Sequence, residues 1–74
     1  MSDDTLDLSW ITAFATTEGL EPPDAELVEA LLDLAGRAAH GSGDRRNAPL
    51  SCFLAGLRMG RDGTAPTPDV IHRM

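Results

Sequence analysis

The 74-residue sequence lacks lysine and tyrosine, and it contains one cysteine and three aromatic residues. A single cysteine cannot form a disulfide within the chain, and it supplies too few thiolates for a cysteine-based structural zinc site. No stretch approaches the roughly 20 consecutive apolar residues that a membrane-spanning helix needs. These absences exclude a disulfide scaffold and predict a chain with no membrane span and no metal site.

The length limits the hydrophobic core. A chain of this size buries only about 60% of the surface that its unfolded form exposes. One core of this size rarely contributes more than about 3–5 kcal/mol, so small domains often gain stability from disulfides, a metal or a partner surface. With a disulfide excluded, the sequence leaves tight packing or association, including homo-oligomerisation, as sources of stability.

Charge is unevenly distributed along the chain. The formal net charge is −6 at pH 7, yet residues 1–33 contain nine acids and no base, and all six arginines follow them. Nucleic-acid binding depends on clustered basic residues that neutralise phosphates, so this distribution argues against a nucleic-acid partner. The acidic start, MSDDTLD, also differs from the basic start of a signal peptide, so we expect a cytoplasmic protein.

The spacing of apolar residues predicts four helices and no strand. After an acidic N-terminal lead over residues 1–7, the predicted helices cover about 8–18, 24–40, 49–59 and 67–73. Gly19 is expected to stop the first helix, and Pro49 and Pro68 suit the first turns of the third and fourth. The expected fold is all-α, one domain over residues 1–74, with three main helices in a compact bundle plus a short C-terminal fourth.

Two of these helices carry apolar patterns that predict how they pack. The second helix has a broad apolar stripe, which predicts contact with two neighbours and a central position. In the third helix the large apolar residues recur at i, i+3, i+4 and i+7, the spacing of the face that a helix normally buries. These residues are Leu50, Phe53, Leu54 and Leu57.

A polar elbow of ten residues between the second and third helices is the first candidate site. It contains His40, Arg45 and Arg46, and Ser51 follows near the start of the third helix. The free N–H groups and the dipole of a helix start attract anions, so an antiparallel helix pair would place these residues around a phosphate or carboxylate ligand. The alternative is a solvated basic loop whose arginines pair with the acidic first half. The lack of a glycine-rich phosphate motif favours that alternative.

The first helix carries the second candidate site, formed by Trp10 and Phe14. Core packing is the ordinary explanation for two aromatic residues in a small domain. Aromatic anchors also dominate the energetics of protein interfaces, so a partner-binding surface is the other explanation. The sequence leaves both open.

No catalytic residue and no cofactor are predicted. Cys52 would need a base such as His40 within hydrogen-bond reach to act as a nucleophile, and the spacing does not place one there. A small buried thiol next to Phe53 is the simpler interpretation. His40, His72 and Cys52 also lack the paired spacing of a structural zinc site.

A helix-turn-helix is rejected for the second and third helices. The elbow is longer than the usual three- to four-residue turn of that motif. The acidic balance of the chain is also wrong for a DNA-binding domain.

Several different short helical motifs are distributed over most of the chain. They are Trp10-Ile11, Leu31-Leu32-Asp33-Leu34-Ala35, Ala38-Ala39-His40-Gly41, Ala48-Pro49-Leu50, Phe53-Leu54-Ala55-Gly56 and Gly60. Together they resemble a bacterial family of small helical domains of unknown function, number 6457. The resemblance implies a domain fused to, or encoded beside, molybdenum-cofactor guanylyltransferases and some molybdenum enzymes. It implies an accessory role in maturation or delivery of that cofactor, with no catalytic residues to carry over. The sequence departs from the family pattern at Ser51-Cys52, where hydroxyl pairs are common, and in its arginine-rich elbow.

The resemblance to this family implies a non-enzymatic accessory domain. Its expected partner is a molybdoenzyme or a cofactor transferase, bound through an acidic face or the aromatic first helix. One alternative is an anion- or phosphate-cofactor-binding domain that uses the elbow, which would lose ligand affinity on joint substitution of Arg45 and Arg46. Another is a small structural subunit of a larger oxidoreductase, which would co-purify with that enzyme in stoichiometric amount.

Overall fold

A computed structural model describes residues 7–74 and shows an all-α fold, as predicted. The helices are α1 (Ser9–Thr17), α2 (Ala25–Ser42), α3 (Asn47–Asp62) and α4 (Pro68–His72). No strand occurs in this part of the chain. Of the acidic N-terminal lead predicted over residues 1–7, all but Asp7 lies outside the described residues.

Local hydrogen bonds explain where α1 begins and ends and where α2 begins. The Asp7 carboxylate accepts hydrogen bonds from the backbone N–H and the hydroxyl of Ser9, at 3.0 and 2.6 Å. Gly19 adopts a left-handed φ of 72°, and the next N–H, of Leu20, donates to the carbonyl of Ala15 at 2.8 Å, which closes α1 in a Schellman-type turn. Asp24 then caps α2 by accepting from the N–H of Leu27 at 2.8 Å.

The boundaries of α2 and α3 differ from those predicted. The second helix continues to Ser42 rather than about His40, and the third covers residues 47–62 rather than 49–59. Glycines inside these helices do not end them, since one costs only about 0.5–1 kcal/mol relative to alanine. Each helix ends where a glycine adopts a left-handed φ, at Gly43 (73°) and Gly63 (66°). The connection between α2 and α3 is therefore Gly43–Arg46, four residues, whereas the predicted helix bounds leave eight, residues 41–48.

The hydrophobic core lies around α2, which packs against both α3 and α4 and is the central helix, as predicted. Its buried members are mostly small or flexible residues, and one large aliphatic side chain, Ile71 of α4, is fully buried. The cluster consists of Ala30, Leu34, Ala55, Met59 and Ile71. Half-buried side chains of α2, α4 and the C-terminus pack around it.

The predicted orientation of α3 is wrong. Its large apolar residues Leu50, Phe53, Leu54 and Leu57 are 55–66% exposed. The helix instead buries Ala55 and Met59, and the Sγ atom of Cys52 lies 3.5 Å from the carbonyl oxygen of Leu31. Small side chains let α2 and α3 approach closely, and a helix that buries this stripe must turn its bulky stripe outward. None of the described helices is long and apolar enough to cross a membrane.

Two truncations on α3 distinguish its two faces. We expect Met59→Ala to lower the free energy of unfolding by about 2–5 kcal/mol because it leaves a cavity in the core. Leu57→Ala, the matched control on the exposed face, should change it by less than about 0.5 kcal/mol. Urea denaturation followed by circular dichroism measures both in dilute protein. A larger loss for Leu57→Ala than for Met59→Ala would contradict the described orientation.

Candidate functional site

An open apolar groove runs between α1 and α2. Its volume is about 630 Å³, within the roughly 300–1,000 Å³ typical of ligand sites. Residues from α1, the connector and α2 line it, chiefly Trp10, Ile11, Phe14, Leu20, Val28 and Leu32. We call this surface the α1–α2 groove.

The aromatic pair on α1 forms one wall of the α1–α2 groove. Trp10 and Phe14 are one helical turn apart, and their rings stack with centroids 5.5 Å apart and planes inclined by 17°. Trp10 is 72% exposed and Phe14 49%, while the buried residue of α1 is Ala15. Core packing therefore does not explain the pair. The structure places both predicted residues on one surface, although their role in binding stays a prediction.

The Schellman-type turn after α1 completes the groove at its other end. It holds Leu20 between α1 and α2 with 65% of its surface exposed. Leu32 of α2 is 56% exposed and lines the same surface. Neither residue was predicted from the sequence to line a binding surface. For Leu20 the signal was present, because a large apolar residue directly after a glycine helix stop is typical of this turn.

The charges around the groove are acidic. Asp7 and Glu21 line it, Glu18 lies beside the aromatic pair, and no basic residue is among the described lining residues. The Ser9 hydroxyl and then the Ser9 backbone N–H lower the pKa of Asp7, so this carboxylate stays ionised at neutral pH. An apolar surface with an acidic rim favours a ligand that combines apolar side chains with positive charge.

The elbow, by contrast, is a closed turn in which Asp44 and Arg46 pair with each other. The Asp44 carboxylate accepts from the backbone N–H, Nε and Nη2 of Arg46, at 2.9, 3.0 and 2.8 Å. The Ser42 hydroxyl oxygen accepts from the backbone N–H of Asp44 and from the Asn47 amide, at 3.2 and 2.9 Å. Arg46 thus pairs within the elbow. The basic-loop alternative expected it to pair with acids of the first half, and no such pair occurs within residues 7–74.

The structure begins α3 at Asn47, before the N–H groups around Leu50, Ser51 and Cys52 that were expected to receive an anion, and its first N–H groups are engaged in the same turn. Those of Asn47 and Ala48 donate to the carbonyls of Asp44 and Arg45, each at 3.1 Å, and Pro49 has none to offer. The Ser51 hydroxyl donates to the carbonyl of Ala48 at 2.9 Å. An anion at this helix start would have to compete with the Asp44 carboxylate.

The remaining elbow residues are exposed and are not gathered into a pocket. His40 lies in the last turns of α2 and Arg45 in the connection, and neither shares a hydrogen bond with another side chain within residues 7–74. The structure therefore joins Arg46 to Asp44 but does not bring His40, Arg45 and Ser51 together. The four-residue connection also removes the length argument against a helix-turn-helix, and the acidic balance is the argument that remains.

Cys52 is half-buried, and its thiol donates to the Leu31 carbonyl instead of facing a histidine. Among the described residues, no group of three His, Cys, Asp or Glu side chains is placed to hold a metal ion. The expectation that the chain has no catalytic residue stays a prediction.

A second exposed surface lies on the outer face of α3. The spacing of its residues had predicted that this face is buried. It consists of Leu50, Phe53, Leu54 and Leu57, and we call it the α3 patch. Arg58 and Arg61 line the surface beside Leu54 and Leu57. The signal for its exposure was the second stripe on the same helix, with Cys52, Ala55 and Met59 at i, i+3 and i+7.

Comparison with known sequences assigns a family. The family model described as "Domain of unknown function (DUF6457)" matches residues 2–74. The chain belongs to this family. No curated protein and no solved structure matches the DUF6457 chain. The family assignment carries no activity, so the surfaces described above are the basis for a functional proposal.

The Asp44–Arg46 pair in the elbow of the DUF6457 chain predicts that Asp44 titrates at a lower pH than an ordinary aspartate. Hydrogen bonds from the Arg46 side chain, and to a lesser extent from the Arg46 backbone N–H, lower the pKa of Asp44. These bonds therefore stabilise the fold at pH values above the ordinary pKa range of a carboxyl group. That contribution is lost as the pH falls through the lowered pKa. We expect the Asp44 carboxyl carbon, followed by NMR, to titrate below about 3.9. Arg46→Gln should move the midpoint back toward that value, and an unshifted midpoint in the unsubstituted protein would contradict the closed turn.

Proposed function

We propose that this DUF6457 domain is a non-enzymatic interaction domain whose α1–α2 groove binds an amphipathic helix of a partner protein. The observation that supports the proposal most strongly is the stacked Trp10–Phe14 pair, exposed in an apolar groove of about 630 Å³. Large aromatic side chains exposed in a concave surface are typical of interface hot spots.

A helix is the proposed ligand because of the shape and chemistry of the groove. Helix-in-groove recognition places residues at i, i+3, i+4 and i+7 of an amphipathic helix into an apolar trough. The trough between α1 and α2 has apolar walls and an acidic rim at Asp7, Glu18 and Glu21. The rim favours a helix with arginine or lysine beside its apolar face, and it disfavours acidic helices by charge repulsion.

The partner follows from the family resemblance and not from the groove. DUF6457 domains resemble modules found with molybdenum-cofactor guanylyltransferases, so we propose such a transferase, or a molybdoenzyme, as the protein that supplies the helix. The domain would then act as an accessory in maturation or delivery of the cofactor. A cytoplasmic location stays a prediction within this proposal.

The two alternatives have less support. Anion binding at the elbow would place a second anion beside the Asp44 carboxylate that Arg46 already binds, and Ser51 already donates to its own helix. A structural subunit of a larger oxidoreductase would use the same exposed surfaces. Stoichiometric co-purification with a large enzyme distinguishes that role from a transient accessory contact.

Binding to a purified molybdenum-cofactor guanylyltransferase from the same organism tests the proposal by isothermal titration calorimetry. We expect Trp10→Ala to weaken the affinity at least about tenfold, the loss of about 1.4 kcal/mol or more that is typical of a hot-spot aromatic residue. Phe53→Ala is the matched control because Phe53 is also exposed but lies outside the groove. Its affinity should be no weaker than that of the unsubstituted protein.

Circular dichroism verifies that both variants retain their helices. Absence of binding by the unsubstituted protein would refute the transferase as partner. Equal affinity of the Trp10→Ala variant would refute the groove as the binding site.

A further inference from the structure

The α3 patch is an exposed apolar surface that the proposed function does not use. Its four side chains face away from α2, while Ala55 and Met59 of the same helix are buried. With exposed fractions of 55–66%, they present roughly 400 Å² of apolar surface, within the roughly 300–600 Å² of the largest, often functional, patch on a monomer.

The charges beside the patch are opposite in sign to those of the α1–α2 groove. Arg58 and Arg61 line the patch beside Leu54 and Leu57. Both contact one carboxylate, that of Asp62, with N–O distances of 3.5 and 3.0 Å, so this end of the patch keeps a positive charge. Arg45 and Arg46 precede the other end of α3.

The α3 patch also has the residue spacing that the groove is proposed to recognise. Its apolar residues occupy i, i+3, i+4 and i+7 of one helix, with arginines beside them. No residue lines both surfaces, so one molecule can present a patch to one neighbour and a groove to another.

We propose that the α3 patch of one copy docks into the α1–α2 groove of a second copy, in a head-to-tail contact. The proposal rests on the groove assignment of the proposed function, and it names the amphipathic, arginine-flanked helix that the groove accepts. Patch-to-patch pairing is disfavoured, because arginines flank both ends of α3 and would face arginines in either helix orientation. Docking of the patch into the groove, in contrast, brings arginines toward Asp7, Glu18 and Glu21.

The size of the two surfaces sets the expected strength of this contact. The groove is lined by 12 residues and the patch consists of four apolar residues with two arginines beside them, fewer than the roughly 20–30 residues a side of a standard stable interface. The association should therefore be weak and concentration-dependent. A head-to-tail contact forms rings if the rotation closes and open chains if it does not, so species larger than a dimer are expected. A partner helix in the groove would compete with this self-association.

Complementation between two variants tests the head-to-tail arrangement. Trp10→Glu places a charge in the groove and leaves the patch intact, whereas Leu54→Glu places a charge in the patch and leaves the groove intact. Both sites are exposed, so the helices should be retained, as circular dichroism verifies. Ala65→Glu adds the same charge in the exposed α3–α4 connector and is the control.

Sedimentation velocity of each protein across a wide concentration range gives the outcomes. The unsubstituted protein and Ala65→Glu should show an average mass that rises past that of a dimer. Each of the other two variants alone should stay monomeric, and their equimolar mixture should form a dimer and nothing larger. A monomeric unsubstituted protein, a monomeric mixture, or self-association of Trp10→Glu alone would overturn the proposal.

The result is separable from a failure of the proposed function. If self-association fails but the transferase still binds in a Trp10-dependent manner, the groove assignment stands and only its occupation by α3 is wrong. If both fail, the groove is not an interaction site.

Discussion

The close packing of α2 against α3 through small side chains is the constraint on which the rest of the structure depends. Ala30 and Ala55 are 2% and 6% exposed, and the Cys52 thiol reaches the backbone carbonyl of Leu31. Burying the small stripe of α3 leaves its bulky stripe in solvent. Ile71 of α4 adds the one fully buried large side chain, so the core stays small. Exposure of large hydrophobic side chains is thus a consequence of how the core is built.

The uneven charge along the sequence becomes an uneven charge over the surface. Among the described residues, the acids of the first half lie before α1, in the α1–α2 connector and on α2, whereas four of the six arginines lie directly before α3 or near its end. Each apolar surface therefore has a rim of one dominant sign. Apolar burial would supply most of the binding energy, whereas the rims would select the partner and its orientation. A domain with two such surfaces is suited to assembling proteins, which is the role proposed for it.

The parts of the fold that depend on local signals were predictable from the sequence. The helix count, the stop at Gly19 and the central place of α2 follow from spacing and from glycine and proline chemistry. The orientation of α3 was not predictable in this way, because the helix carries a bulky stripe and a small stripe, and only contact with α2 decides between them. The bounds and the side-chain pairing of the elbow were not predictable for a similar reason. Composition does not show which glycine adopts a left-handed φ or that Asp44 pairs with Arg46.

Proton–proton nuclear Overhauser contacts of α3 in dilute protein test the central claim most directly. The account predicts cross-peaks between the Ala55 methyl group and side chains of Ala30 or Leu34, because these residues share the buried cluster. It also predicts no cross-peak between the Phe53 ring and α2, because Phe53 lies on the opposite face and is 66% exposed. Contacts from Phe53 and Leu57 to Leu34, without contacts from Ala55, would show that the bulky face is buried and would contradict the account.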